Sequence, residues 1–222
     1  MMKVAAFVIG AVGTNSYLVW DETSKDAMIV DPAGYDSRID KMISDNALAL
    51  KYIVLTHGHG DHIGGVPKYT SSYPDVKRVA GMAEREIFAD PYKNHSMEIT
   101  GESIGFVPEL LLKDGDTFSL GDLVFEIIET PGHTPGGISI YTANSDESIP
   151  GSPYSGVLFS GDTLFRASVG RTDLFGGDTA TLLSTIKKKL FSLPDDTVVF
   201  PGHMSYTTIE FEKNNNPFVN AY

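Results

Sequence analysis

The sequence contains no cysteine. That absence excludes a disulfide framework, a thiolate zinc site, an iron–sulfur cluster and a cysteine nucleophile, so any metal must be held by histidine, aspartate or glutamate. Basic residues are also scarce: 17 lysines and arginines stand against 29 aspartates and glutamates, a formal net charge of −12. This balance repels nucleic acid and anionic lipid and points to a small-molecule partner. Long apolar runs are missing as well. No segment approaches the roughly 20 apolar residues that a membrane span requires. The short run at residues 4–9 could pass for a signal-peptide core, but it breaks at Gly10 and meets the turn signal Gly13-Thr14-Asn15. It therefore reads as one arm of a strand hairpin. The expected location is cytoplasmic, with no nucleic-acid or membrane partner.

What is present suits one domain spanning residues 1–222, with 41% hydrophobic residues. Residues 27–30 and 52–55 read as short buried strands, separated by a helix in 35–46 where Ile39, Met42 and Ile43 recur at helical spacing. Residues 79–81 suggest another strand, and 82–89 a short helix with Glu84, Arg85 and Glu86 outward. The stretch 90–116, punctuated by Pro91, Gly101, Gly105 and Pro108, reads as a long irregular connection of the type that carries binding surfaces. Strands follow at 123–129, 138–141 and 157–160, then an amphipathic helix at 179–190 and a last strand at 198–200. Short strands interleaved with helices in both halves imply a layered α/β or α+β fold.

The strongest local signal is Thr56-His57-Gly58-His59-Gly60-Asp61-His62, directly after a predicted strand. In extended backbone, side chains at i and i+2 share a face, so His57 and His59 can grip one ion. The glycines let the chain bend, which frees Asp61 and His62 for a second. Of the six histidines in the chain, two more stand in matching turns after predicted strands, Pro131-Gly132-His133 and Pro201-Gly202-His203. Between these lies Ser160-Gly161-Asp162-Thr163, also at a strand end. A carboxylate has two oxygens and can bridge two cations about 3.5 to 4 Å apart, which makes Asp162 the bridging candidate.

Taken in order, these residues resemble the metallo-β-lactamase superfamily, over nearly the whole chain. The resemblance implies an α+β fold, an αββα sandwich of two mixed sheets packed face to face with helices outside, and the metal site at one edge. Matched position by position, one metal would take His57, His59 and His133, the other Asp61, His62 and His203, with Asp162 and a hydroxide bridging them. Within the superfamily the chain is similar to glyoxalase II, the hydroxyacylglutathione hydrolases, in the hairpin at 10–19, the turn Val30-Asp31-Pro32-Ala33-Gly34, the segment 170–178 and the ending Asn216-Pro217-Phe218. Since only the short stretch 204–222 follows His203, the likeness is to the short bacterial form without the C-terminal helical domain that supplies basic residues for glutathione.

That resemblance implies a binuclear metal-dependent hydrolase acting on a thioester of the S-lactoylglutathione type, with Asp61 and Asp162 serving the metal-bound hydroxide. Two divalent ions, zinc first and iron or manganese next, suit imidazole and carboxylate donors. Alternatives are a mononuclear iron persulfide dioxygenase of the same fold, and a lactonase or other ester hydrolase. Three residues are further candidates. Asp31 is a turn cap or an acceptor for a ligand imidazole; Arg171 and Asp173 form a polar pair beneath the site or contact substrate. His95 reads as a loop histidine, and Lys187, Lys188 and Lys189 as the solvated face of the last helix.

Overall fold

The computed structural model describes residues 1–143, 148–149 and 152–220. Its first sheet contains β1 (Met2–Ile9), β2 (Thr14–Asp21), β3 (Asp26–Val30), β4 (Ala49–Leu55), β5 (Lys77–Gly81) and β6 (Leu110–Leu112), in that order. The first two pairings are antiparallel and the remaining three parallel. Between these strands run α1 (Ser37–Asp45), α2 (Gly60–Ile63), α3 (Val66–Ser72), α4 (Arg85–Ala89) and α5 (Ser96–Thr100). The second half supplies β7 (Thr117–Leu120), β8 (Leu123–Glu129), β9 (Ile138–Thr142), the ribbon β10 (Ser148–Ile149) and β11 (Ser152–Pro153), then β12 (Val157–Gly161), β13 (Leu164–Phe165) and β14 (Ser168–Val169). After α6 (Thr179–Lys188) come β15 (Val198–Pro201), β16 (Thr207–Thr208), α7 (Ile209–Asn215) and α8 (Pro217–Asn220). The second sheet has the order β16-β15-β12-β9-β8-β7.

The period-2 alternation of strand side chains divides the interior into three layers of contact. Val19, Val30, Val54 and Val79 of the first sheet meet Phe125, Ile127, Ile140 and Phe159 of the second. The neighbours of these residues point the other way: Leu18, Ile29, Ile53 and Leu55 pack against Ile39 and Ile43 of α1 and Tyr69 of α3. On the far side, Leu158 and Val199 pack against Leu182 and Ile186 of α6, Ile209 and Val219. Helix, sheet, sheet, helix is thus the order of the layers, the αββα sandwich expected from the resemblance. The two principal helices begin on carboxylate caps, Asp36 accepting from the Arg38 amide and Asp178 from the Thr181 amide.

Two expectations are corrected. The segment 82–89 is a 3-10 turn (Met82–Glu84) leading into α4, and Glu84 is fully buried instead of outward. Backbone amides from two distant loops need a buried acceptor there, a demand that no local pattern announces. The stretch 90–116 is not uniformly irregular either, for it contains α5 and β6. The partner of β6 is β5, some thirty residues back, so its hydrogen bonds could not be read locally. Among the described residues no helix is long and apolar enough to cross a membrane.

Candidate metal centre

All the predicted donors lie at one edge of the sandwich. β3 and β4 run parallel, as do β12 and β15, so the chain leaves these strands at the same edge. Asp31 follows β3, the His57–His62 segment follows β4, Asp162 follows β12 and His203 follows β15. The β8–β9 connection brings His133 to the same place, where the Ile138 amide donates to the Thr56 carbonyl at 2.8 Å and ties one sheet to the other.

Three imidazoles converge first. His59 Nδ1 lies 2.9 Å from His133 Nε2, which lies 3.2 Å from His57 Nε2. The protons on the His57 and His133 rings are fixed by their outer partners. The His133 Nδ1–H can only donate to the Arg171 carbonyl, 2.6 Å away, and the His57 Nδ1–H faces the Thr56 hydroxyl at 3.1 Å, whose own proton goes to Asp31 Oδ2. Both Nε2 lone pairs therefore point inward. Burial holds all three rings neutral: it pushes His57 and His133 below the ordinary histidine range and His59 down to about 3. Three neutral, converging lone pairs fit one divalent cation.

The second cluster, Asp61, His62 and His203, has its donor atoms within 4.8 Å of one another. His203 Nε2 stands 3.3 Å from Asp61 Oδ2 and 3.4 Å from Asp162 Oδ2, and His62 Nε2 stands 3.3 Å from Asp162 Oδ1. The fully buried His62 Nε2 and Asp162 Oδ1 have no aligned hydrogen-bond partner, as is expected of atoms directed at a common ion. Burial disfavours charge on His62, but Asp61, Asp162 and Asp31 outweigh it and raise its pKa well above the usual range. Burial likewise opposes charge on His203, and its contacts with Asp162 and Asp61 prevail, lifting it to about 9. The carboxylates respond in the opposite sense: burial would raise Asp61 and Asp162, but His62 and His203 hold both well below their ordinary value. This pocket is built for positive charge.

Asp162 also reaches His133, with Oδ2 3.6 Å from Nε2. Its carboxylate thus stands between the two clusters. A third grouping, Asp31 with His57 and His62, also satisfies the distance test for a metal. However, the Asp31 oxygens already accept from the Thr56 amide at 2.7 Å, the Thr56 hydroxyl at 2.6 Å and His62 Nδ1 at 2.9 Å. Asp31 is committed to orienting its neighbours. Arg171 and Asp173 form a two-pronged pair on the surface at the rim, instead of beneath the site. His95 is paired with Glu98 outside the cluster.

The two Pro-Gly-His turns need their glycines for different reasons. Gly132 has φ of +134°, and a Cβ there would lie 2.4 Å from the Leu182 backbone of α6. At Gly202 a Cβ would meet Asp162 Oδ1 at 2.2 Å, so this glycine makes room for the carboxylate itself.

Several positioning residues escaped the sequence reading. Glu84 accepts from the Gly58 amide at 3.0 Å and the Gly136 amide at 2.9 Å, joining the His57–His62 segment to the His133 loop. The β1–β2 hairpin supplies three more: Thr14 donates to Asp61 at 2.9 Å, Asn15 donates to the Pro201 and Met204 carbonyls, and the Tyr17 hydroxyl donates to Pro201 at 2.6 Å. The available signal was Thr14, Asn15 and Ser16 at the start of an otherwise apolar strand, for a buried polar residue requires a partner.

Comparison with known proteins agrees with this geometry. The chain is 34% identical to the hydroxyacylglutathione hydrolase GloC of Haemophilus influenzae, with 99% of each chain covered. In structure it is similar to BLEG-1, a B3 metallo-beta-lactamase, with a TM-score of 0.85, 35% identity and 99% coverage of both. It is also similar to TTHA1623 in a di-iron-bound form, with a TM-score of 0.77, 30% identity, and 97% and 100% coverage. The family model of the metallo-beta-lactamase superfamily matches residues 9–203, a span that begins in the hairpin bracing the site and closes on its last histidine. With full-length relatives, the matching sandwich and the two His/Asp clusters in agreement, the chain belongs to the metallo-beta-lactamase superfamily of metal-dependent hydrolases.

Proposed function

We propose that this chain is a binuclear metal-dependent thioester hydrolase of the hydroxyacyl-thiol type. The observation that carries the reading is the position of Asp162, within 3.3 to 3.6 Å of His62, His203 and His133, where one carboxylate can serve two ions. His57, His59 and His133 would hold the first ion, and Asp61, His62 and His203 the second, with Asp162 shared. Zinc suits this donor set best, and iron is supported by the di-iron relative. Bound there, two divalent cations supply hydroxide at neutral pH and polarise the acyl carbonyl.

The chain's own residues orient and exclude. Asp61, steadied by Thr14, lines the cleft and can accept a hydrogen bond that orients the attacking water. Asp31 and Thr56 fix the rings of His62 and His57, and the Arg171 carbonyl fixes His133. A cleft of about 230 Å³ opens over these groups, bordered by Val12, Ile99, Leu174 and Arg171, sufficient for a small acyl group beside the scissile bond. A thioester needs little general-acid assistance because thiolate leaves readily. The partner is then a small-molecule thioester in the cytoplasm, handled by a single domain.

The GloC relative supports the thioester reading, and the B3 metallo-beta-lactamase relative supports β-lactam hydrolysis as a second one. The test is elemental analysis of protein purified without added metal or chelator, followed by thiol release from S-lactoylglutathione and other acyl thioesters, with a β-lactam in parallel. About two ions per chain and thiol release are expected. Two ions with β-lactam opening alone would select the second reading, and one iron with oxygen consumption on a persulfide would replace both.

A further inference from the structure

The cleft over the donors continues into a second lobe of about 370 Å³, with Val12, Asp61 and Ile99 lining both. This lobe lies between the β1–β2 turn, the loop after β3 and the end of α5. Its walls include Ala11, Val12, Ala33 and Ile99, and its charged groups are Asp61 and Glu102. Glu102 is exposed and, among the described residues, stands in no ion pair. No lysine or arginine lines the lobe. Arg38, Lys93 and Arg171 are paired with Asp36, Glu86 and Asp173, and the Lys68 ammonium lies over the Tyr35 ring. With the two cations of the donor cluster neutralising Asp61, Glu102 is the charge left in this lobe to meet the far end of a ligand, and it favours an ammonium there over a carboxylate.

We propose that the second lobe is the specificity pocket for the part of the substrate beyond the scissile bond, and that it takes an aliphatic segment ending in an ammonium group instead of a carboxylate. The proposal rests on the thioester reading only for the identity of the bond cleaved. Val12 and Ile99 pass the chain from one lobe to the other, the apolar walls cover it, and Glu102 meets its terminal charge. Glutathione, with two carboxylates, fits this lobe poorly.

The test is calorimetric titration of the zinc-loaded protein with thiols that can anchor at the donor cluster and differ only at the far end: 6-amino-1-hexanethiol, 6-mercapto-1-hexanol and 6-mercaptohexanoate. The amine is expected to bind most tightly and the carboxylate least, about tenfold apart, a ratio typical of a single near-surface charge contact. Glu102→Gln should remove most of that difference and Glu102→Lys should reverse it. Equal affinities, a preference for the carboxylate, absence of binding by all three, or an order unaffected by the Glu102 variants would each overturn the proposal. Failure of thioester hydrolysis with this order intact would instead overturn the reaction assignment alone. Thiol release from S-lactoylglutathione and from an amine-bearing acyl thioester separates the two further, since the proposal expects a higher kcat/KM for the amine-bearing substrate.

Discussion

Replacing Glu84 by glutamine should produce a stability penalty that shrinks as the pH rises. The wild-type carboxyl is fully buried, and burial pushes its pKa up from 4.5 to about 7, with the Gly58 and Gly136 amides pulling in the opposite direction. Because the folded value lies above the unfolded one, the folded chain binds the extra proton between these limits, and wild-type stability falls as the pH rises through them. A shift of that size corresponds to about 3 kcal/mol. Glutamine has no such proton, but its amide group must face one of the two backbone N–H donors, a loss of about 1 to 3 kcal/mol. At pH 5 the variant should therefore be the less stable protein, and by pH 8 the two should be equal or reversed. Glu84→Ala, which leaves both amides unpaired, should be worse than glutamine throughout, by about a further 1 to 3 kcal/mol. Urea unfolding of metal-free protein in chelator, from pH 5 to 8, measures these differences. The histidine cluster is common to all three proteins, so its protons cancel. A glutamine penalty that is constant or growing with pH would show that Glu84 is ionised throughout, and the argument from burial would fail.

Other outcomes follow from the site. Asp31→Asn should lower metal affinity roughly 10 to 100-fold, read by competition with a chromophoric chelator, because it disturbs the acceptor for His62 and Thr56. Gly202→Ala should cost bound metal more than it costs fold, since its Cβ would displace the Asp162 carboxylate; elemental analysis beside a thermal melt separates the two. Leu182→Ala, on the buried face of α6, should lose about 2 to 5 kcal/mol in chemical denaturation. Arg171→Ala removes an exposed surface pair and should leave the melting temperature unchanged, with any effect confined to KM. Stripping metal with a chelator should lower the melting temperature reversibly, by an amount corresponding to about 4 kcal/mol if the free metal had stood a thousandfold above its dissociation constant.

The strands and the candidate donors are legible because their signals are local, whereas the sandwich is implied by the family resemblance. Residues 52–55 and 198–200 are short apolar runs with histidine motifs directly behind them, so element and donor can be found together. What was not legible depends on pairing across the chain. Leu110–Leu112 is too short to declare itself a strand until β5 lies beside it. Glu84 looks like any helix-surface glutamate until the Gly58 and Gly136 amides meet over it. Thr14 and Asn15 read as turn residues, and only the arrival of Asp61 and the Pro201 turn gives them their roles. The matching Pro-Gly-His triplets come together at one edge of the sandwich, but their sequence cannot tell that one glycine answers to a helix backbone and the other to a carboxylate.

The division of donors between the two sheets has a consequence for how the protein is made. The first sheet carries His57, His59, Asp61 and His62, whereas His133, Asp162 and His203 belong to the second. During synthesis from the N-terminus, the leading half emerges with His57, His59, Asp61 and His62 alone, and under the proposed ligand set it would hold an ion only weakly. Firm capture waits for the trailing half to close over it. With the proposed ligand set, metal retention would report finished assembly, since a chain lacking its second half would lack three of the seven candidate donors.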